Sequence, residues 1–160
     1  MKNLLFAASL IFFLPVFVAG QDQNSRAQGY AFIAPGNSFG TSTLHFGGGG
    51  ECDLYKGLGF GVELGYMAPT KSLRGGIGIL SPNGRYAFRY FDDSKLIPYI
   101  TAGYSLLFRS GTANAFNYGG GVDYWFADKV GLKVEFRDHL VFNCRRDCHA
   151  YQIRLGFSFR

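Results

Sequence analysis

The chain has 160 residues, a formal net charge of +5, 18 % aromatic residues and 23 glycines. That length suits one domain, and its positive excess is scattered, with no basic cluster beyond Arg145-Arg146, which argues against nucleic acid as a partner. Aromatic and glycine enrichment, with no helical apolar periodicity running for three turns after the N-terminal leader, argues against a helical protein and predicts an all-β fold.

The leader comes first. Lys2 supplies a positive n-region, residues 4–18 an apolar h-region interrupted by Pro15, and Val18-Ala19-Gly20 a small-residue cleavage site. Residues 1–20 are therefore expected to be a signal peptide rather than a membrane anchor, for which the run is short. Residues 21–28 read as a disordered lead-in and residues 29–160 as the folded domain.

Strands follow at regular spacing. The first is expected over 29–34, with Pro35-Gly36-Asn37-Ser38 as a turn. The second covers 41–53, with Leu44, Phe46 and Leu54 on one face and His45, Glu51 and Asp53 on the other. Lys56-Gly57 turns into a third strand, 58–67, whose large residues (Leu58, Phe60, Val62, Leu64, Tyr66) alternate with glycines and Glu63. A fourth strand over 73–90 has Ile77 and Ile79 on one parity and Leu80, Tyr86, Phe88 and Tyr90 on the other. That mismatch predicts a bulge near Gly75-Gly76 or around Ser81-Pro82-Asn83, in preference to a turn at Pro82-Asn83-Gly84 that would split the strand in two. After a polar turn at residues 92–95, the fifth strand spans 98–109, and residues 110–114 form a loop. Residues 116–126 and 130–137 form a hairpin around Ala127-Asp128-Lys129, and 149–159 is the last strand. The expected fold is an all-β, eight-stranded antiparallel up-and-down transmembrane β-barrel.

The hairpin decides which solvent the apolar face meets. Val130, Leu132, Val134 and Phe136 share one face, and Gly131, Lys133, Glu135 and Arg137 the other. Large residues at nearly every inward position would overfill an eight-stranded lumen, which holds only modest side chains. Glycine suits a crowded lumen better than a water-facing strand. The polar face also carries charges of both signs, which can neutralise one another inside: Glu51, Glu63, Asp123 and Glu135 against Arg85, Arg89, Lys133, Arg137 and Arg154. The apolar face therefore points to hydrocarbon. Tyr30, Tyr66, Tyr90, Tyr99, Tyr118, Tyr124 and Tyr151, near strand ends, are expected to form interfacial girdles.

Three cysteines remain in an oxidising setting. Cys144 and Cys148 bracket a short loop and are expected to pair as a disulfide, leaving Cys52 over. With His149 they supply only three ligands, so no metal site is expected. No cofactor is expected either.

The segments YGGGVDYWFADKVGLKVEFRDH and YQIRLGFSFR, within eight alternating strands behind a signal peptide, resemble the small outer-membrane β-barrel proteins of Gram-negative bacteria, the OmpA/OmpX-type β-barrel domain group. The resemblance covers the whole chain after the leader. It implies residence in the outer membrane as a monomer, in contact with outer-membrane lipid and lipopolysaccharide. It also implies periplasmic termini, outward-facing loops near residues 35–40, 68–73, 110–114 and 142–148, and recognition of an aromatic C-terminal strand by the barrel-assembly machinery. Here Phe159 is followed by Arg160. The expected role is a non-enzymatic barrel with a side-chain-filled charged core, serving envelope integrity or surface interaction. Two alternatives stand beside it. One is a lipid-modifying enzyme of the lipid A deacylase kind, drawing on His149 near the rim with Asp147 or on His139 and His45 of the polar face. The other is a narrow channel.

Overall fold

The computed structural model describes residues 26–88, 95–142 and 149–160. The leader, Arg89, Tyr90 and the Cys144–Cys148 pairing lie outside the described residues. Eight strands follow in order: β1 (Arg26–Ser38), β2 (Thr41–Tyr55), β3 (Leu58–Pro69), β4 (Ile77–Ala87), β5 (Leu96–Phe108), β6 (Thr112–Trp125), β7 (Val130–Val141) and β8 (His149–Phe159). Each pairs antiparallel with its neighbour, and β8 returns to β1 to close the barrel. Closure leaves no unpaired edge, the condition for strands in hydrocarbon.

Two hairpins are set by tight turns. Phe39 and Gly40 lie between the paired Ser38 and Thr41, and Lys56 and Gly57 between Tyr55 and Leu58. All four turn residues have positive φ, the backbone of a type I′ turn, whose twist matches its strands. The first turn is thus at residues 39–40. The expected turn at residues 35–38 belongs to β1, and Pro35 is accommodated where the β1–β8 pairing passes over it. β1 also begins three residues before the expected position, at Arg26. In the same way Thr112 to Asn114 extend β6 rather than forming a loop.

β4 corrects a second expectation. It starts at Ile77, after a short 3-10 turn over Leu73–Gly75, and its pairing with β3 runs from Met67–Ile77 to Leu58–Tyr86 with no register shift. No bulge is present in this strand. Ile77 and Ile79 keep the inward parity of Ser81, Asn83 and Arg85, because the lumen is apolar at their height.

Side-chain direction is unambiguous. Leu132, Val134 and Phe136 are 40, 47 and 49 % exposed, while Lys133 and Glu135 between them are each 3 % exposed. The outer surface is a continuous apolar belt of Leu, Val, Ile, Phe and Tyr. Taking the ends of β1, β3, β5 and β7 as the upper end, the interior is layered. Met67, Ile79, Leu107, Ala115, Val141 and Ala150 form an apolar cluster at the top. Ala87, Ile97, Tyr99 and Trp125 form another at the bottom, where the Arg160 guanidinium lies 3.6 Å from the Trp125 ring centre. Between these caps lies the polar interior.

Candidate functional site

Glycine makes room for this interior. A Cβ at Gly49 would lie 2.8 Å from the Tyr30 hydroxyl, and one at Gly121 2.9 Å from that of Tyr99. Each phenol lies over the glycine paired with it on the neighbouring strand, which carries no side chain there, and so reaches a carboxylate one strand further on.

The charged groups sort into two quartets. The lower one holds Glu51, Asp123, Arg85 and Lys133. Arg85 pairs with both carboxylates, and Lys133 Nζ lies 2.9 Å from Glu51 Oε1 and 3.2 Å from Asp123 Oδ1. Gln28 donates to Glu51 and, at 3.4 Å, to Asp123 Oδ2. The upper quartet holds Glu63, Glu135, Arg137 and Arg154. Glu63 Oε2 accepts from Arg154 Nη1 at 2.6 Å, from the Tyr30 hydroxyl at 3.0 Å and from Arg137 Nη1 at 3.4 Å. Arg137 Nε lies 2.6 Å from Glu135 Oε1. Each quartet has two acids and two bases and sums to zero, as burial of charge requires.

Aromatic rings line both. The Arg85 guanidinium is 4.2 Å and Lys133 Nζ 4.4 Å from the Tyr99 ring centre, and Arg154 lies 4.4 Å from that of Phe32. These contacts give desolvated cations a second source of electrostatic support.

Above the quartets runs a neutral chain. Asn117 Nδ2 donates to Ser105 Oγ at 2.9 Å, and Ser105 Oγ lies 3.1 Å from His139 Nδ1 and 2.7 Å from Ser81 Oγ. Gln152 links the two rings. Oriented with its oxygen toward Arg154, its amide nitrogen donates to His45 Nδ1 at 2.9 Å and its oxygen accepts from His139 Nε2 at 3.1 Å. That arrangement places a proton on His139 Nε2 and leaves Nδ1 to accept from the serine. The chain is enclosed in the lumen, with His45, Ser81, Ser105, Asn117 and His139 all buried, so its Ser–His contact ties β5 to β7 within the barrel.

Of the residues the sequence assigned to the interior network, Glu51, Glu63, Arg85, Asp123, Lys133, Glu135, Arg137 and Arg154 come together here. Arg89 lies outside the described residues. Two tyrosines change role. Tyr30 and Tyr99 are buried in the lumen, not in a girdle, and they hydrogen-bond Glu63 and Glu135. Their parity with Phe32 and Thr101 is the signal that identifies them. Tyr118, Tyr124 and Tyr151 do face outward. Cys52 is a partly buried free thiol.

A second polar group sits on the outer face near the top. His149 Nδ1 lies 2.6 Å from Asp138 Oδ2, which also accepts from the Tyr118 hydroxyl at 2.9 Å. Asp138 is the carboxylate found beside His149; Asp147, the acid expected there, lies outside the described residues. The pair opens on a recess of about 460 Å³ lined by Asn37, Phe39, Gly40, Phe136 and Tyr151.

Comparison with solved structures bears on the architecture. The barrel is similar to the N-terminal β-barrel domain of Pseudomonas aeruginosa OprF, with 19 % identity and a TM-score of 0.67 over 87 % of this chain and 98 % of that one. The fold is that of bacterial outer-membrane β-barrels. Neisserial surface protein A matches at 16 % identity and a TM-score of 0.65, covering 84 % of this chain and 97 % of its own. The outer-membrane enzyme PagL matches at 16 % identity and 0.53, covering 82 % and 99 %. No protein-family profile matches the sequence, and no curated protein matches it.

Proposed function

We propose that the protein is a non-enzymatic outer-membrane barrel that strengthens the envelope as a closed, rigid span, exported by its leader and inserted as a monomer. The observation that carries this reading is the interior: two self-neutralising quartets capped above and below by apolar side chains. A conducting pore needs a continuous wet path, and here the charges are spent on each other. The apolar belt fits hydrocarbon, and the pairing of β1 with β8 satisfies the last strand edges. Assembly through the C-terminal strand fits the outward Phe157 and Phe159. In this reading the ends of β1, β3, β5 and β7 face outside the cell.

Single-channel recording on the pure protein in planar bilayers tests the closed interior, with sustained silence expected. Cell fractionation with heat-modifiable gel migration tests the location. Stepwise conductance, or a soluble fraction with no heat-dependent shift, would overturn the reading.

The Asp138–His149 pair favours one alternative, hydrolysis of a lipid ester at the outer rim. Asp138 would orient the ring, leaving Nε2 to take a proton from water beside a lipid in the recess. Comparison of lipid A by mass spectrometry from cells carrying the protein and its His149→Ala form decides it, because an unchanged profile ends the enzymatic reading.

A further inference from the structure

The loop between β3 and β4 is held far more tightly than its exposure requires. The Thr70 amide donates to Ser42 O at 3.0 Å, and the amides of Ser72 and Gly75 close the 3-10 turn on Pro69 O and Ser72 O. The Tyr66 hydroxyl donates to Leu73 O at 2.6 Å and accepts from the Gly76 amide at 3.1 Å. From the β5–β6 loop, Arg109 reaches over β4. Its Nη1 donates to Gly75 O at 3.0 Å and its Nη2 lies 3.5 Å from Arg74 O.

The clamp brings the Arg109 guanidinium onto the backbone of residues 74 and 75, in the loop that also carries Lys71 and Arg74. Lys71, Arg74 and Arg109 are exposed, and residues 70–76 and 109–111 contain no aspartate or glutamate. Among the described residues none of the three has an ion pair. Directly below, the outer face is apolar. The Tyr66 ring crosses Gly76 and the Phe108 ring crosses Gly78, so closely that a Cβ on either glycine would strike the ring. Leu73, half-exposed, projects within the basic loop itself. The cations therefore stand within a residue or two of the top of the belt, roughly 3–7 Å at a strand's rise of about 3.4 Å per residue.

We propose that Lys71, Arg74 and Arg109 form a binding site for the phosphate-bearing headgroup of a membrane lipid whose acyl chains lie along Leu73, Tyr66 and Phe108. Charge complementarity calls for an anion, and guanidinium groups, one of them held in place by the loop backbone, suit phosphate oxygens. A soluble anion would satisfy the cations and leave Leu73 in water. Only a ligand with both phosphate and hydrocarbon meets the whole surface. This inference rests on the membrane reading above.

The test uses the full chain refolded into phosphatidylcholine vesicles containing either bis-phosphorylated lipid A or its dephosphorylated form. Insertion is followed by heat-modifiable migration, and retained lipid by native mass spectrometry. The wild-type protein is expected to hold the phosphorylated form at least about tenfold better than the dephosphorylated one, the scale of one charge-assisted hydrogen bond. Arg74→Glu and Lys71→Glu, which leave the Arg109 clamp in place, should each remove most of that preference while the barrel still inserts. Equal retention of both lipids, undiminished retention by both variants, or displacement of lipid A by inorganic phosphate alone would overturn the headgroup site and leave the membrane reading standing. A wild-type protein that fails to enter vesicles would remove both.

Discussion

The Tyr99 hydroxyl donates to Glu135 Oε2 at 2.7 Å and accepts from Lys133 Nζ at 3.4 Å, so one phenol joins the two quartets. Removing that hydroxyl leaves a buried carboxylate oxygen without its donor. Tyr99→Phe is expected to cost about 1–3 kcal/mol, read as an earlier midpoint in urea unfolding in vesicles. Fluorescence of Trp125, the single tryptophan, buried in the lower cap, reports the transition. An unchanged midpoint would show that the phenol acts only as packing.

Glu63 is the acceptor on which Arg137, Arg154 and Tyr30 converge. Glu63→Gln strands a buried cation, and the expected loss is about 3–5 kcal/mol. The double variant Glu63→Leu/Arg154→Met removes an acid and a base together and keeps the Glu135–Arg137 pair. It should lose less than the single variant. The comparison separates neutrality of the quartet from the mere presence of charge.

Gly65 faces the His45 ring so closely that a Cβ there would strike Nε2. Gly65→Ala is expected to destabilise by about 1–3 kcal/mol through overpacking. Adding His45→Ala relieves the collision. The two substitutions should therefore be non-additive, with a coupling of about 0.5–3 kcal/mol in a double-mutant cycle.

Val134 sits at the middle of the outward face of β7. In hydrocarbon, Val134→Arg should cost about 2–4 kcal/mol and reduce the heat-modifiable fraction after refolding into vesicles. In water the same change at an exposed position would stay within about 0.5 kcal/mol. The measured cost thus reports the solvent at that face directly.

Strand number, alternation and the inward direction of the charged face were legible because the strands cross in period-two runs, broken only at the end of β2 among the described residues, where the register shifts between Asp53 and Tyr55. What misled was treating the inner face as uniformly polar. Ile77 and Ile79 belong to an apolar cap, so scoring parity by hydrophobicity implied a bulge that register excludes. Residue type alone points Tyr30 and Tyr99 to a girdle, whereas their parity with Phe32 and Thr101 places them inside. Which acid meets which base was not legible at all: Glu63 on β3 meets Arg154 on β8, a pairing that exists only once the sheet has curled shut. The contact of His149 with Asp138 was not legible either, because it arises from cross-strand pairing of Leu140 with His149, which sets Asp138 diagonally beside the ring on the same face.

That dependence on closure bears on how the chain folds. The Arg85–Glu51 contact links β4 to β2, Arg85–Asp123 links β4 to β6, and Arg154–Glu63 spans β8 to β3. An incomplete sheet of six or seven strands would carry unmatched ions toward lipid, so partial assemblies are penalised and the final seam between β1 and β8 is drawn tight by groups far from it. Excising one hairpin should therefore abolish insertion outright instead of yielding a smaller ring.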